Sequence, residues 1–526
     1  MMSAFPSWVP EGSSSLIGSE NMDREGLGIK HFLKDKNILI TGATGFLAKV
    51  LVEKILRTQP DVGHLFLLIN AKSSQSASER LRKEVQCSRL FQVLQDKHGD
   101  EYEDFIQAKL TAVAGNVAKE DVGIDKDVAQ ALASEIDVIV NSAATTNFIE
   151  RYDTALDINT KGPFHLLEFA KRCHRLKLFL HVSTAYVNGK RVGRALEKPF
   201  RMDESIARES LGNESAPPLS VAQEIESVCK LSLLAPAHDK DEVAQQTAFM
   251  KELGLKRAAL HGWQDTYVFT KAMGEMLVCE NRQDVPVVIV RPTVVEGTFN
   301  QPFSGWMEGI RMMDPILLTY GKGQTSSFYV DPNGVLDVVP ADMVVNTILA
   351  SMAKHAGKKG CLNVYQVGSS VVNPLTFDKL AKYTYEHFRS QPFVDQKGNP
   401  VMIPKMTFIT NKYTLFLYNY LQFNLPVLIS RLFPWFQRED TQRRLKYLSY
   451  ASQRVNQLID TYAAYTFYKG RFDISNLERL YKELSAEERD EFGFAVWSID
   501  WDKYIKDVHL PGLRKYTLDG NTAFRL

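Results

Sequence analysis

A tyrosine four residues before a lysine, Tyr267-Val-Phe-Thr-Lys271, can do acid chemistry if both stand on one helix. That spacing puts the phenol and the ammonium on the same helical face. The positive charge is then expected to lower the phenol's pKa, so that it can hand a proton to an oxygen gaining negative charge. A second polar group lies in Ser183-Thr184, directly after the apolar run Leu178-Phe-Leu-His-Val182. At the end of a strand, the Thr184 hydroxyl would hydrogen-bond the same oxygen. Tyr-x-x-x-Lys alone is common on surface helices, so its meaning depends on its surroundings.

The surroundings include a nucleotide-binding pattern. The short apolar run Asn37-Ile-Leu-Ile-Thr41 stops at Gly42-Ala-Thr-Gly45-Phe-Leu-Ala48, and Val50, Leu51, Ile55 and Leu56 then recur at helical spacing. This reads as strand, glycine turn, helix. Glycines let the backbone approach a pyrophosphate, whose charge meets unpaired N–H groups at the helix start. The next strand, His64-Leu-Phe-Leu-Leu-Ile69, ends in Asn70-Ala71-Lys72 and has no acid until Glu79. An acid there would bind the ribose 2′-OH of NAD, whereas a base favours the 2′-phosphate of NADP. Lys72 is expected to make that contact, with Arg80 as second candidate, and NADPH is the expected cofactor.

These groups need a scaffold to position them. Ile136-Asp-Val-Ile-Val140, capped by Asn141-Ser-Ala-Ala144, and Val285-Pro-Val-Val-Ile-Val290 are further buried strands, with helical stretches between. The alternation predicts an α/β fold, a Rossmann-type doubly wound parallel sheet with ligands at the carboxyl ends of its strands. The span from Thr184 to Tyr267 exceeds what is needed to connect a strand to the helix that follows it, so a helical insertion at about 197–262 is expected to cap the site. After Asn373-Pro374 the chain turns aromatic-rich and helical. Ser475-x-x-Glu478 and Ser485-x-x-Glu488 are capping-box patterns there. The expected organisation is a mobile tail at 1–28, an NADP-binding domain at 29–374 and a helical C-terminal domain at 375–526. The first 30 residues lack the order of a secretory signal, and Glu11, Glu20, Asp23 and Glu25 argue against a typical transit peptide.

Composition excludes several classes. Lys plus Arg total 63 against 62 for Asp plus Glu, which leaves no charge surplus for neutralising many phosphates, so no nucleic-acid partner is expected. Five widely separated cysteines make neither a zinc ribbon nor a disulfide scaffold, and the histidines lack ligand spacing, so no metal is expected. No run reaches the roughly 18 uninterrupted apolar residues of a spanning helix. The apolar-aromatic stretch 415–436, followed by Arg438, Arg443, Arg444 and Lys446, suits a domain core with solvated arginines, shallow peripheral membrane contact, or the wall of an apolar tunnel.

Thr41-Gly-Ala-Thr-Gly-Phe-Leu47, Asn141-Ser-Ala-Ala144, Val182-Ser-Thr-Ala-Tyr186, Tyr267 with Lys271, Arg291-Pro-Thr293 and Asp337-Val-Val-Pro-Ala-Asp342 together resemble an extended short-chain dehydrogenase/reductase. More narrowly, the chain resembles the alcohol-forming fatty acyl-CoA reductases of the plant male-sterility type over about 28–516. That likeness rests on the segment from Gly262-Trp-Gln-Asp to Gly274-Glu275, on Pro302-Phe-Ser-Gly-Trp306, on Val364-Tyr-Gln-Val-Gly-Ser369, and on Phe472-Asp473, Phe492-Gly-Phe494 and Ile499-Asp-Trp501. The resemblance implies catalytic roles for Thr184, Tyr267 and Lys271, with Ser183 beside them. It implies cofactor contacts from Thr41, Gly42, Thr44, Gly45, Phe46, Leu47, Asn116, Ala143 and Lys271. Ala48 stands where many members have Gly, Asn116 where related reductases often have Asp, and Asn70 where Arg is frequent, which leaves phosphate recognition to Lys72.

The implied activity is NADPH-dependent reduction of a long-chain acyl thioester, on CoA or acyl-carrier protein, through the aldehyde to the primary fatty alcohol of wax, cutin or pollen-wall lipid. Two alternatives stand beside it. A sugar-nucleotide or flavonoid-type reductase would not need the tryptophan-bearing C-terminal domain, and a redox-silent nucleotide-binding scaffold would not need an intact Thr, Tyr and Lys. An intracellular location is expected, at the endoplasmic reticulum or in the cytosol, with the plastid as a further option. Acyl length and oligomeric state are not specified by the sequence.

Overall fold

In the computed structural model, which describes residues 25–209, 215–234, 239–395, 397–421 and 462–518 with the single positions 425, 428, 429 and 459, seven parallel strands form the central sheet. They are β1 (Ile38–Thr41), β2 (Leu65–Asn70), β3 (Leu110–Gly115), β4 (Val138–Asn141), β5 (Leu178–Val182), β6 (Val287–Pro292) and β7 (Leu362–Val367). Their spatial order is β3-β2-β1-β4-β5-β6-β7, every pair parallel. Between β1 and β4 the order reverses, and there a doubly wound sheet opens a crevice beyond its strand ends. Every residue of β1, β4, β5 and β6 is buried, because helices cover both faces and leave no solvent side to alternate toward.

The expected Rossmann-type fold is the observed one, and five strands were legible within two residues. The two edge strands β3 and β7 were not. β3 is Leu-Thr-Ala-Val-Ala-Gly with partly exposed positions, too small and too mixed to read as a buried run, and the first two residues of β7 are also half-buried.

Close backbone approaches fix two glycines. Gly42 has φ +67°, and a Cβ there would lie 2.8 Å from the Ala143 amide, so both conformation and space demand glycine. Gly274, in the helix Thr266–Asn281, lets that helix come so near its neighbour that a Cβ would sit 2.2 Å from the Asn159 carbonyl oxygen. Asp265 caps this helix, accepting from the Val268 amide at 3.0 Å. Below the cap, Glu275 meets Arg291 of β6 in a fully buried ion pair, Nε to Oε1 3.0 Å.

The expected insertion contributes the helices Ile206–Glu209, Val221–Leu234 and Lys240–His261. Its Glu224 accepts from the Tyr152 hydroxyl at 2.8 Å and from Arg257 Nε at 3.0 Å, which ties two of these helices to the sheet domain.

The chain beyond Pro374 shares the main core, which contains both Ile38 and Leu513. Gly470–Phe472 pairs in parallel with Gly193–Ala195, the Trp501 indole donates to the Asn373 carbonyl at 2.9 Å, and the Tyr504 hydroxyl donates to that of Gly297 at 2.7 Å. Of the two expected capping boxes, Ser485 with Glu488 forms, and the Glu488 carboxylate also accepts the Leu27 and Ile29 amides. Ser475 with Glu478 does not form one. Ser475 is the first helical residue, and its hydroxyl donates instead to Asp473 at 2.7 Å.

Residues 1–24 of the tail, most of 422–436, and Arg438, Arg443, Arg444 and Lys446 lie outside the described residues. Among the described residues no helix is long and apolar enough to cross a membrane.

Candidate active site

A cavity of about 1030 Å³ opens at the carboxyl ends of the strands, at the switch between β1 and β4. The glycine turn supplies Gly42, Thr44, Gly45, Phe46 and Leu47 to one wall. Gly45 begins the helix Phe46–Thr58 and has no side chain to cap it, so the first amides of that helix are available to an anion. The ends of β5 and β6 add Ser183, Thr184 and Thr293, and the capped helix adds Tyr267 and Lys271. The four residues assigned to catalysis therefore line one cavity with five of those assigned to the cofactor turn.

The hydroxyls of the strand end differ. Thr184 Oγ1 accepts from the Tyr186 amide at 3.3 Å, which leaves its proton free to donate. Ser183 Oγ is buried with no partner among the described residues, so a ligand in the cavity is what would satisfy it.

Lys271 departs from the expectation that it lowers the phenol's pKa. Its Nζ turns to the strand end, donating to the Val182 carbonyl at 2.8 Å and lying 3.4 Å from His181 Nε2. Burial lowers its pKa to about 8, with Glu275 opposing. The Tyr267 phenol is instead raised, by burial first and then by the Asp265 carboxylate. A shared helical face did not bring the two groups into contact, because the lysine has a backbone acceptor of its own.

Thr41, Lys72, Asn116 and Ala143 are not part of the cavity wall. Thr41 is fully buried. Its hydroxyl donates to Asn141 Oδ1 at 2.7 Å and accepts from the Ala143 amide at 3.0 Å. Asn141 continues to His181 Nδ1 at 3.1 Å, so a buried polar string runs from the glycine turn across three strand ends to Lys271. Burial and the charges of Lys271 and Arg291 hold the pKa of His181 well down, so it adds no charge to the string. Asn116 closes its own turn by accepting from the Ala118 amide at 2.9 Å. Lys72 is exposed just beyond β2, while Arg80 spends its guanidinium on Glu84, at 2.7 Å, and on the Asn70 carbonyl, at 2.7 Å.

The sequence reading missed several wall residues. Phe148 lies 6.1 Å from the Tyr267 ring and 5.0 Å from Tyr465, which comes from the C-terminal part with Tyr462. The Tyr465 hydroxyl donates to Asp265 Oδ2 at 2.5 Å, so the C-terminal part grips the cap of the helix that carries Tyr267 and Lys271. Burial raises the Asp265 pKa to about 6, opposed by that hydrogen bond and by the amides it caps. Asp265 just before the Tyr-x-x-x-Lys segment was a readable capping signal; its pairing with Tyr465 left no local trace. Arg311 and Lys251 also line the wall. His509 sits 3.0 Å from Asp314, near Glu296, whose pKa is raised to about 8 by burial and then by Asp314. The other imidazole nitrogen lies 3.9 Å from Glu296, so the three side chains form one buried ionisable cluster.

A family model described as male sterility protein, of the NAD-binding domain, matches residues 40–348, and a second model of the same description matches 425–519. Fatty acyl-CoA reductase 2, chloroplastic, from Arabidopsis thaliana is 49% identical over 523 residues, covering 97% of this chain and 82% of its own length. The alcohol-forming fatty acyl-CoA reductase of Simmondsia chinensis is 39% identical over 502 residues, covering 93% of this chain and 99% of its own length. Among solved structures, the reductase domain of a non-ribosomal peptide synthetase from Mycobacterium tuberculosis aligns with a TM-score of 0.53 at 18% identity, over 92% of this chain and 96% of its own, a likeness of fold. The glycine turn and the NAD-binding model agree on a nicotinamide dinucleotide as cofactor. With these matches running nearly end to end, the chain belongs to the male sterility protein family, alongside the plant fatty acyl-CoA reductases.

Proposed function

We propose that the chain reduces a long-chain acyl thioester to the primary alcohol, with NADPH as reductant. The observation that carries this reading is the meeting of Thr184, Tyr267 and Lys271 with the glycine turn on one cavity, in a chain whose relatives are named fatty acyl-CoA reductases. The residues fit the cofactor: the turn admits a backbone-close anion, the helix start has free amides, and Ser183 is an unspent hydroxyl. Each bound NADPH would supply one hydride, the first to the thioester carbon and, after exchange of the oxidised cofactor for a second NADPH, another to the aldehyde carbon.

The protein's share is to hold and discharge the oxygen. Thr184 donates a hydrogen bond to the carbonyl oxygen, and Tyr267, kept protonated by its raised pKa, donates a second. As charge builds on the oxygen of the first adduct, both bonds strengthen; the C–S bond then breaks, the carbonyl reforms and the thiolate leaves with the bonding pair, to be protonated by solvent. In the second reduction the oxygen keeps its charge, and Tyr267 transfers its proton to it, giving the alcohol. Solvent then reprotonates the phenol. Phe148, Ile310, Met312, Tyr462 and Tyr465 give the wall an apolar side where acyl methylenes gain about 0.8 kcal/mol each on burial. That hold keeps the aldehyde in place for the second reduction.

The preference for NADPH is supported by the end of β2, where no carboxylate stands and Lys72 is exposed. The test of the whole reading is NADPH absorbance followed together with gas chromatography of the lipid products from a long-chain acyl-CoA or acyl-carrier protein. About two NADPH should be consumed per thioester, with fatty alcohol formed. A ratio near one with accumulating aldehyde would remove the second reduction, and no NADPH loss with either carrier would remove the activity.

A further inference from the structure

The loop before the helix Asp314–Gly321 lies against the glycine turn and brings a cation that no motif foretold. Trp306 stacks on Phe46, the first residue of the nucleotide-binding helix, with ring centroids 5.2 Å apart and planes 22° apart. Lys49 of the same helix pairs with Glu308 at 2.7 Å. Two residues beyond Gly309, the Arg311 guanidinium lies 5.0 Å from the centre of the Phe46 ring. The loop is thus fastened to the helix start at three points.

Arg311 is itself held in place. Its Nε donates to the Glu308 carbonyl at 2.7 Å, and its backbone amide donates to Asp314 Oδ2 at 2.9 Å. Its two terminal nitrogens have no hydrogen-bond partner among the described residues, and the residue lines the cavity with Gly42 and Gly45. Glu308, Glu296 and Asp314 act on its charge through space without accepting from those nitrogens. An oriented guanidinium with its outer fork unspent matches two oxygens of a phosphate ester, and fixing it in advance lowers the entropy lost on binding.

We infer that Arg311 binds the pyrophosphate of the nicotinamide dinucleotide, as a second clamp on the anion received by the helix amides. The inference rests on the cofactor reading above and adds a residue to it. An acyl-CoA also carries phosphates; the contact with Phe46, where the cofactor helix begins, assigns Arg311 to the cofactor.

The test uses the full chain with Arg311→Gln and Arg311→Lys. NADPH affinity is read from nicotinamide fluorescence without thioester, and KM for acyl-CoA is read at saturating NADPH. Loss of a charged hydrogen bond should raise the NADPH Kd by about 10-fold or more in the Gln variant. The Lys variant, which keeps the charge but not the fork, should raise it by about threefold or more. At saturating NADPH the KM for acyl-CoA should stay within about twofold of wild type, and the apo protein's unfolding midpoint within about 2 °C. An NADPH Kd within about twofold of wild type in the Lys and Gln variants would overturn the assignment. So would a rise confined to KM for acyl-CoA, which would place Arg311 on the carrier's phosphates. If the Gln variant does not fold, the Lys variant alone decides by the same threshold. Failure of the wild-type chain to bind NADPH would instead sink the cofactor reading, before Arg311 is in question.

Discussion

At Tyr267 the fold does something other than activate a base. Burial and Asp265 raise the phenol's pKa, so near neutral pH it is a stored proton, suited to an oxygen that gains charge during reduction. Replacing Tyr267 with Phe should lower kcat by about 10² to 10⁴, the usual worth of a positioned acid, while NADPH binding persists. Retention of more than about half the wild-type rate would mean that another group gives the proton. The same site sets a pH limit. Burial lowers the Lys271 pKa to about 8, so the ammonium is present below that pH and lost above it. As a charge on the cavity wall, the ammonium would stabilise through space the oxygen that gains negative charge, so kcat should fall as pH climbs through about 8, and a flat profile from about pH 6.5 to about pH 9.5 would dismiss that role for its charge.

The helix Thr266–Asn281, which carries Tyr267 and Lys271, shows how an element fixes such residues. Asp265 and Tyr465 hold its first turn, Gly274 lets it press against Asn159, and Glu275 pins it to β6 through Arg291. Those ties explain what could be read in the sequence. The turn from Gly42, the Ser183-Thr184 strand end and Tyr267 with Lys271 are local patterns, each set by spacing within one element, and all reach the cavity. Tyr465, Phe148 and Arg311 are delivered by distant chain packing, for which no local spacing exists. Thr41 and Asn116 were visible as motif members, but their side chains are engaged within the scaffold. Lys72 belongs to the turn between β2 and the helix Ser74–Leu81, exposed and outside the cavity wall. Because Arg80 is committed to Glu84 and Asn70, we propose Lys72 as the cation of that turn that would meet a 2′-phosphate. Lys72→Ala should lower the ratio of kcat/KM for NADPH over NADH by about 10-fold. An unchanged ratio would move recognition of the 2′-phosphate elsewhere.

Across the whole molecule, net charge is only +1, so long-range attraction to anionic lipid is weak and any membrane contact must be local. One surface has the needed form. In and just after the helix Lys412–Asn419, Tyr413, Phe416, Leu417 and Leu421 recur at helical spacing and are 86%, 71%, 56% and 51% exposed. An exposed apolar stripe of this kind is costly in water unless something covers it. In the sequence it leads into the apolar stretch ending at Phe436 and then to Arg438, Arg443, Arg444 and Lys446, a basic flank that suits lipid phosphate. We propose that this stripe sits shallowly in an anionic lipid surface, which would also bring the reductase to a source and sink of long acyl chains. The full chain should co-sediment with vesicles containing about 30% anionic lipid and less with zwitterionic ones, losing about 1 kcal/mol of binding for each basic residue no longer near the surface. Phe416→Glu together with Leu417→Glu should abolish pelleting while leaving turnover of a soluble short-chain acyl-CoA unchanged, because neither residue lines the cavity. Equal pelleting of wild type and this variant would show that another surface meets the lipid. No pelleting of wild type, with the variant shifting the chain from dimer to monomer in sedimentation velocity, would show that the stripe is covered by a second copy.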